Sequence, residues 1–329
     1  MKKITIILLS IFLLSSCELY YEENTYSINL ISIGIDYKNT TYSSNWLEGT
    51  INDAKEFEKA LTQMAGVSEI TINNSGYYQV GSDYSSDTID DEYYPSKEHI
   101  LLAFETLESS ADENSINIIY YSGHGDSDGS LILATTDTET GAISFDEDGN
   151  VTSDQKLTVS EVYEAIDDIP GKTVIIVDSC YSGNFFQDSV YSESEDDFSF
   201  TSAFENLFSN DSKESEYSDI FIISASQDDE VSSENGYNRY HGYFTKALLE
   251  GMGWCDGEKG SLSYFIIPEM IDEDDGIQGE LADGNPPATS SGILSLDSLV
   301  DYVDENIDER ATQTAQVSAW RYDLVLFEY

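Results

Sequence analysis

Four runs in this chain are apolar at consecutive positions rather than at alternate ones: "SINLISIGIDY" (Ser27 to Tyr37), "INIIYY" within Ile116 to Asp126, "TVIIV" (Thr173 to Val177) and "DIFIISAS" (Asp219 to Ser226). Unbroken β-branched runs of this length predict strands covered on both faces, as in a parallel sheet between helices. The segments between them change to helical spacing. Ala54, Phe57, Leu61 and Met64 line one face of Glu48 to Met64, with Asn52 or Asp53 read as its cap. Ser96 caps an apolar-periodic stretch to Ala111, and "TVSEVYEAIDDI", "GYFTKALLEGM" and "LDSLVDYVDENI" read as further helices. "SEITIN" is a short strand candidate, followed by a polar loop from "YQVGSDY" onward, and "WRYDLVLF" (Trp320 to Phe327) reads as a last strand. The alternation predicts an α/β fold with a mostly parallel, roughly six-stranded sheet. With no internal repeat and no Pro/Gly-rich linker, one domain is expected over residues 26–329.

The first residues follow another pattern. "MKKITIILLSIFLLSSC" has Lys2 and Lys3, an apolar run from Ile4 to Leu14, then small residues. The run is too short to span a bilayer and reads as an export signal. "LSSC", Leu14 to Cys17, resembles a bacterial lipobox. That resemblance implies cleavage before Cys17, which then carries the lipid. It predicts residues 1–16 as signal peptide, 17–25 as tether, and anchorage to a membrane of the bacterial cell envelope, periplasmic or surface facing. The rival is an ordinary signal peptide cut nearby.

Composition narrows the partners. The 329 residues are 40% hydrophobic, enough for a sizeable core, and the formal net charge is −50. Losing Lys2 and Lys3 takes it to −52. Such a surface repels polyanions, so nucleic acid is excluded as a partner, and it attracts basic peptides. The plain reading is that the acids, mixed with Ser and Tyr, solvate the surface. Beyond Cys17 only Cys180 and Cys255 remain, without Cys/His spacing for zinc. They leave two alternatives open, a single disulfide or a reactive thiol.

Two strand ends carry the candidate chemistry. One ends in "SGHG", with His124, and the other in "DSCYSG", with Cys180. Side chains just past the carboxyl ends of neighbouring parallel strands share one rim. An ordinary thiol, of pKa about 8.5, is mostly protonated at neutral pH, so a nearby imidazole is needed to make the thiolate. Cys180 is therefore the candidate nucleophile and His124 its proton acceptor, with no cofactor required for this pair. Gly123 and Gly125 free the backbone beside His124, and the N–H groups of Gly125 and Cys180 are candidates to bind an oxyanion. Taken singly, a buried Cys is more often an inert small hydrophobe and a His a hydrogen-bonded structural residue. The weight lies in the pair, in a chain with three histidines.

"YYSGHGD" followed by "VIIVDSCYSG", with Cys180 56 positions after His124, resembles the caspase–metacaspase group of cysteine peptidases. "LEGTINDAKEF", "ISASQDDEV" and "GYFTKALLEGM" add to the likeness, which spans roughly Ser27 to Met252. It implies a three-layer α/β/α sandwich and peptide-bond hydrolysis. Where caspases have "QAC", this chain has "DSC", so Asp178 stands two before the nucleophile. Metacaspases and clostripain-like relatives place an acid there and cut after Arg or Lys, and a recessed carboxylate suits a guanidinium while repelling an aspartate. Asp53 is a candidate second acid, against its reading as a cap. The absence of Lys or Arg from these stretches counts against cleavage after aspartate. Metacaspases are often calcium-dependent; the acids of Asp137 to Asn150 make no complete EF-hand, and Ca2+ is left open with no ligand named. Family members are often cut after the nucleophile strand, and Lys213, the only basic residue from Thr173 to Asn238, is the candidate self-processing site. The expectation is a lipid-anchored cysteine endopeptidase acting on basic protein or peptide substrates. The alternative is a catalytically silent member that binds basic partners.

Overall fold

In the computed structural model the described residues are 26–40, 45–67, 70–83, 85–137, 143, 151–186, 219–234, 241–255, 271–272, 276–277, 280–281, 287–288, 293–307, 313–317 and 324–328. Their main elements are, in order, β1 (Ser27–Ile35), α1 (Thr50–Val67), β2 (Thr71–Gln79), α2 (Lys97–Ser110), β3 (Ser115–Ser122), α3 (Val159–Ile166), β4 (Lys172–Asp178), β5 (Ile220–Ser224), α4 (Tyr243–Gly251), β6 (Ile293–Ser295), α5 (Leu296–Asn306), β7 (Gln316–Val317) and β8 (Val325–Glu328). The central sheet has the order β7–β5–β4–β3–β1–β2. All its pairs are parallel except the edge pair β7–β5.

Period-two alternation within the apolar strands sends side chains to both faces. Ile118 and Tyr120 of β3, Val174 and Ile176 of β4, and Ile28 and Leu30 of β1 meet Phe57, Leu61 and Met64 of α1, Phe244 and Leu248 of α4, and Leu299 and Val303 of α5. Ile119, Tyr121, Ile175, Val177, Ile31 and Ile33 meet Ile100, Phe104 and Leu107 of α2 and Val162, Tyr163 and Ile166 of α3 on the other face. The result is the three-layer α/β/α, caspase-like sandwich expected from the chain. Each fully buried Leu, Ile or Phe contributes on the order of 2 kcal/mol, so the two faces outweigh any local propensity. The helix starts are also encoded locally. Ser96 accepts from the His99 N–H, and Thr158 with Glu161 completes a capping box on α3.

One polar feature lies inside this sheet. Asn29 faces Asn73 across β1–β2 and Asn117 across β1–β3. Asn73 donates to Asn29 at 3.0 Å, Asn29 to Asn117 at 2.8 Å, and Asn117 to the Pro170 carbonyl at 2.8 Å. A slip of one residue would break the row, so it reinforces the register already imposed by the apolar pattern.

Three expectations are corrected. Helix α1 begins at Thr50, so neither Asn52 nor Asp53 is its cap; the Asp53 N–H donates to Gly49 O at 2.9 Å within the first turn. Strand β2 continues to Gln79, into the stretch read as loop, because buried Tyr77 and Gln79 alternate with more exposed positions at a polar sheet edge. Finally, β8 does not join the central sheet. It pairs antiparallel with β6, and the sixth strand is the two-residue β7, too short to leave a periodic signal. Residues 1–25, and with them Cys17, lie outside the described residues, as do Lys213 and most of the acidic stretch from 138 to 150. Among the described residues no helix is long and apolar enough to cross a membrane.

Candidate active site

The parallel pairing of β3 with β4 ends on Ser122 opposite Asp178, and the Gly123 N–H continues the ladder to Asp178 O at 3.2 Å. His124 and Cys180 each stand two positions beyond that last pair. They share one rim of the sheet because the two strands are in equal register. The turn between them is tight: a Cβ on Gly125 would penetrate the Cys180 carbonyl oxygen, so only glycine fits. Gly125 also opposes Leu131 across a small bridge whose ladder bonds are made by Asp126 and Ile132, which leaves the Gly125 N–H outside that ladder.

His124 is held at three atoms. Its backbone N–H donates to Tyr37 Oη at 2.9 Å, and its carbonyl accepts from Tyr121 Oη at 2.8 Å. Its ring Nε2 lies 2.8 Å from the Asn45 carbonyl oxygen. A carbonyl only accepts, so Nε2 carries the proton and Nδ1 carries the lone pair. Burial lowers the imidazole pKa, which keeps the ring neutral and able to accept a proton. The clamp itself is buried. Tyr37 and Tyr121 hydroxyls are 3.1 Å apart, both also reach the Ile132 carbonyl, and burial raises both phenol pKa values well beyond the ordinary range.

Cys180 is a free cysteine, so it takes no part in the disulfide left open by the sequence. Its Sγ donates to the Ser232 carbonyl at 3.7 Å. Burial pushes the thiol pKa up, and the charge of Asp178 adds to the effect. Both shifts favour a neutral resting pair, thiol and imidazole, over a preformed ion pair.

Behind this pair sit three acids. Asp178 is 5% exposed; its Oδ1 accepts from Ser232 Oγ at 2.7 Å and its Oδ2 from Thr245 Oγ1 at 2.6 Å. Since Thr245 donates there, Tyr120 must donate to Thr245, at 2.6 Å. Asp53 is 1% exposed and accepts from Ser122 Oγ, His241 Nδ1 and the Gly242 N–H. Gly242 is wedged between the two, since a Cβ there would overlap Asp178 Oδ2. Glu234 accepts the Glu48 and Gly49 N–H groups, Gly49 at 2.7 Å. Burial, followed by the charge of Asp53, raises Asp178 to about 6. Burial, with the Asp53 and Asp178 charges adding, raises Glu234 to about 7.

The fold thus places His124, Gly125 and Cys180 on one rim, and Asp178 with Asp53 in one acidic cluster beside it. Tyr37, Asn45, Tyr121, Glu234 and His241 were not foreseen. Of the unforeseen contacts, only that of Ser122 had a local signal, its place in "SGHG". Among the described residues no group of three or more His, Cys, Asp or Glu is arranged to hold a metal ion.

A half-buried thiol and a neutral, oriented imidazole thus stand at one rim of a parallel sheet in an α/β/α sandwich. A family profile described as "Caspase domain" matches residues 31–323, and the chain belongs to that family. It is 24% identical over 297 residues to Metacaspase-4 of Arabidopsis thaliana, covering 89% of this chain and 60% of that protein's length. Solved structures similar to it include a protein of Geobacter sulfurreducens (14% identity, TM-score 0.45, 89% of this chain and 93% of the other). Another is Caspase-1 of Spodoptera frugiperda (9% identity, TM-score 0.47, 92% and 90%).

Proposed function

We propose that this chain is a cysteine endopeptidase that cuts after Arg or Lys. The observation that carries the reading is the Asn45–His124 bond on a rim shared with Cys180, because it leaves Nδ1 as the basic nitrogen. In the proposed cycle Nδ1 accepts the Sγ proton, and the thiolate attacks the scissile carbonyl carbon. The carbonyl electron pair moves onto oxygen, where the Gly125 and Cys180 N–H groups bind it. Collapse breaks the C–N bond, and the Nδ1 proton goes to the leaving amine. Water, deprotonated by Nδ1, then hydrolyses the thioester and restores the thiol.

Substrate choice follows from Asp53, Asp178 and Glu234, which together form an acidic pocket for a substrate's cationic side chain. Fluorogenic peptides ending in Arg, Lys or Asp, assayed with calcium or chelator beside Cys180→Ala, test the reading. Cleavage after Arg or Lys that is lost in the variant supports it; cleavage after Asp alone sinks the specificity. The calcium arm decides whether Ca2+ is required.

The remaining proposals concern the ends and the linker. Cys17 is the lipid attachment site of an exported, membrane-anchored protein of the bacterial cell envelope, and Lys213 is a self-processing site. Labelled palmitate should be incorporated by the full chain in a bacterial host and not by Cys17→Ala. A matured chain should begin at Glu214. No specific observation favours the silent binding module.

A further inference from the structure

The Asp53 carboxylate has three donors, all from the chain itself. Ser122 Oγ lies 2.9 Å from Oδ2, the Gly242 N–H 3.1 Å from both oxygens, and His241 Nδ1 2.7 Å from Oδ1. Of the three, only His241 can carry a charge. Its side chain is 9% exposed, and its backbone packs against Gly49, where a Cβ would come within 3.0 Å of the His241 N, Cα and C atoms. A carboxylate only accepts, so Nδ1 holds a proton. The ionisable groups that face it are mostly acids. Asp53 and Glu56 come from α1; the Asp178 charge from β4 couples to Asp53; and Glu234 is bridged to the adjoining Gly242. Of the nearby lysines, Lys59 lies 3.2 Å from Glu56 and Lys246 of α4 lies 3.8 Å from Glu250.

We propose that His241 is a specificity-determining residue of this pocket: it holds the Asp53 oxygen that a basic substrate side chain needs, and the substrate enters by taking that oxygen from the imidazole. The proposal rests on the Arg/Lys reading given above. Two cations compete for one carboxylate. While the imidazole is charged, an incoming guanidinium or ammonium must break an ion pair; once it is neutral, only a hydrogen bond. Entry of the substrate cation therefore drives a proton off the imidazole, and affinity grows as pH rises through the histidine range. A neutral side chain of similar length gains too little from Asp53 to displace the imidazole, which sharpens selection for a true base.

KM for an Arg-ending peptide, measured from pH 5.5 to 8.5 in wild type and His241→Gln, tests this. Glutamine keeps an N–H donor for Asp53 and loses the charge. Protonation of Asp178 and Glu234 weakens binding at low pH in both proteins and cancels in the ratio. At pH 6 the variant should have a KM about tenfold lower, the two converging above pH 8, with the change in KM and not kcat. A ratio that does not vary with pH, or a higher KM at every pH, would show a merely supporting role and overturn the proposal.

A second readout needs no turnover. Benzamidine binding to Cys180→Ala, followed by calorimetry in buffers of different ionisation enthalpy at pH 6, should release about one proton more than binding to Cys180→Ala/His241→Gln. Cys180→Ala/His241→Asn serves if the glutamine variant does not fold. Equal release, or no binding to either protein, overturns the proposal. Proton-linked benzamidine binding without any Arg or Lys peptide cleavage would sink the peptidase reading while leaving the role of His241 standing.

Discussion

The Tyr37 hydroxyl accepts the His124 backbone N–H at 2.9 Å while the two rings stand 4.5 Å apart. One residue at the end of β1 thus fixes both the chain and the ring of the candidate base. Tyr37→Phe removes the acceptor and leaves a buried N–H without its partner, at a cost of about 1–3 kcal/mol. The expected outcome is a lower melting temperature together with a kcat about tenfold or more below wild type, KM changing little. Loss of stability with kcat intact would show that the hydroxyl does not position the base.

The thiol of Cys180 is half-buried, and its burial and the charge of Asp178 raise its pKa. Both effects favour the protonated form, so the thiolate fraction of the free protein stays small at neutral pH. Inactivation by iodoacetamide should still be accelerating at pH 9, and labelling should be absent in Cys180→Ala. A rate that levels off below pH 7 would instead indicate a thiolate–imidazolium pair at rest.

Asp178, at about 6, and Glu234, at about 7, titrate above their ordinary values of 3.8 and 4.5. The sign follows directly. A carboxyl raised on folding contributes stability that is full below its unfolded pKa and is lost as pH rises through the folded one. These two groups therefore favour the folded chain near pH 4 and lose that contribution by pH 8. Asp178→Asn and Glu234→Gln should each raise the melting temperature at pH 8, by on the order of 1 kcal/mol in stability. Each should also raise KM for Arg peptides. Wild-type kcat/KM for such peptides should climb between pH 5.5 and 7.5 as the pocket gains charge. Destabilisation of both variants at pH 8 would contradict this account.

The asparagine row crossing β2, β1 and β3 has no part in the site. Asn117→Ala would leave Asn29 and the Pro170 carbonyl without their buried partner. A loss of about 1–3 kcal/mol is expected in urea unfolding, since the freed Asn29 amide is buried and Pro170 partly so. Turnover of the remaining folded protein should match wild type.

The apolar runs and the helical spacing between them, read from the chain alone, determined the layered sheet, because burial on two faces leaves a periodic trace in the sequence. They also placed His124 and Cys180 on one rim, since each follows its strand directly and parallel neighbours end together. Asp178 was visible for the same reason. Where the pattern was weak, the reading went astray. The end of the polar edge strand β2 was read as loop from Tyr78 onward, β7 is two residues long, and β8 pairs outside the main sheet. Tertiary structure alone decided the contacts that give the site its chemistry. Tyr37 meets His124 across 87 positions, Asn45 meets it across 79, and Asp53 meets His241 across 188. Single polar contacts over such separations have no periodicity to betray them. They exist because the sheet brings distant strand ends together, and because buried carboxylates and amides must each find a partner there.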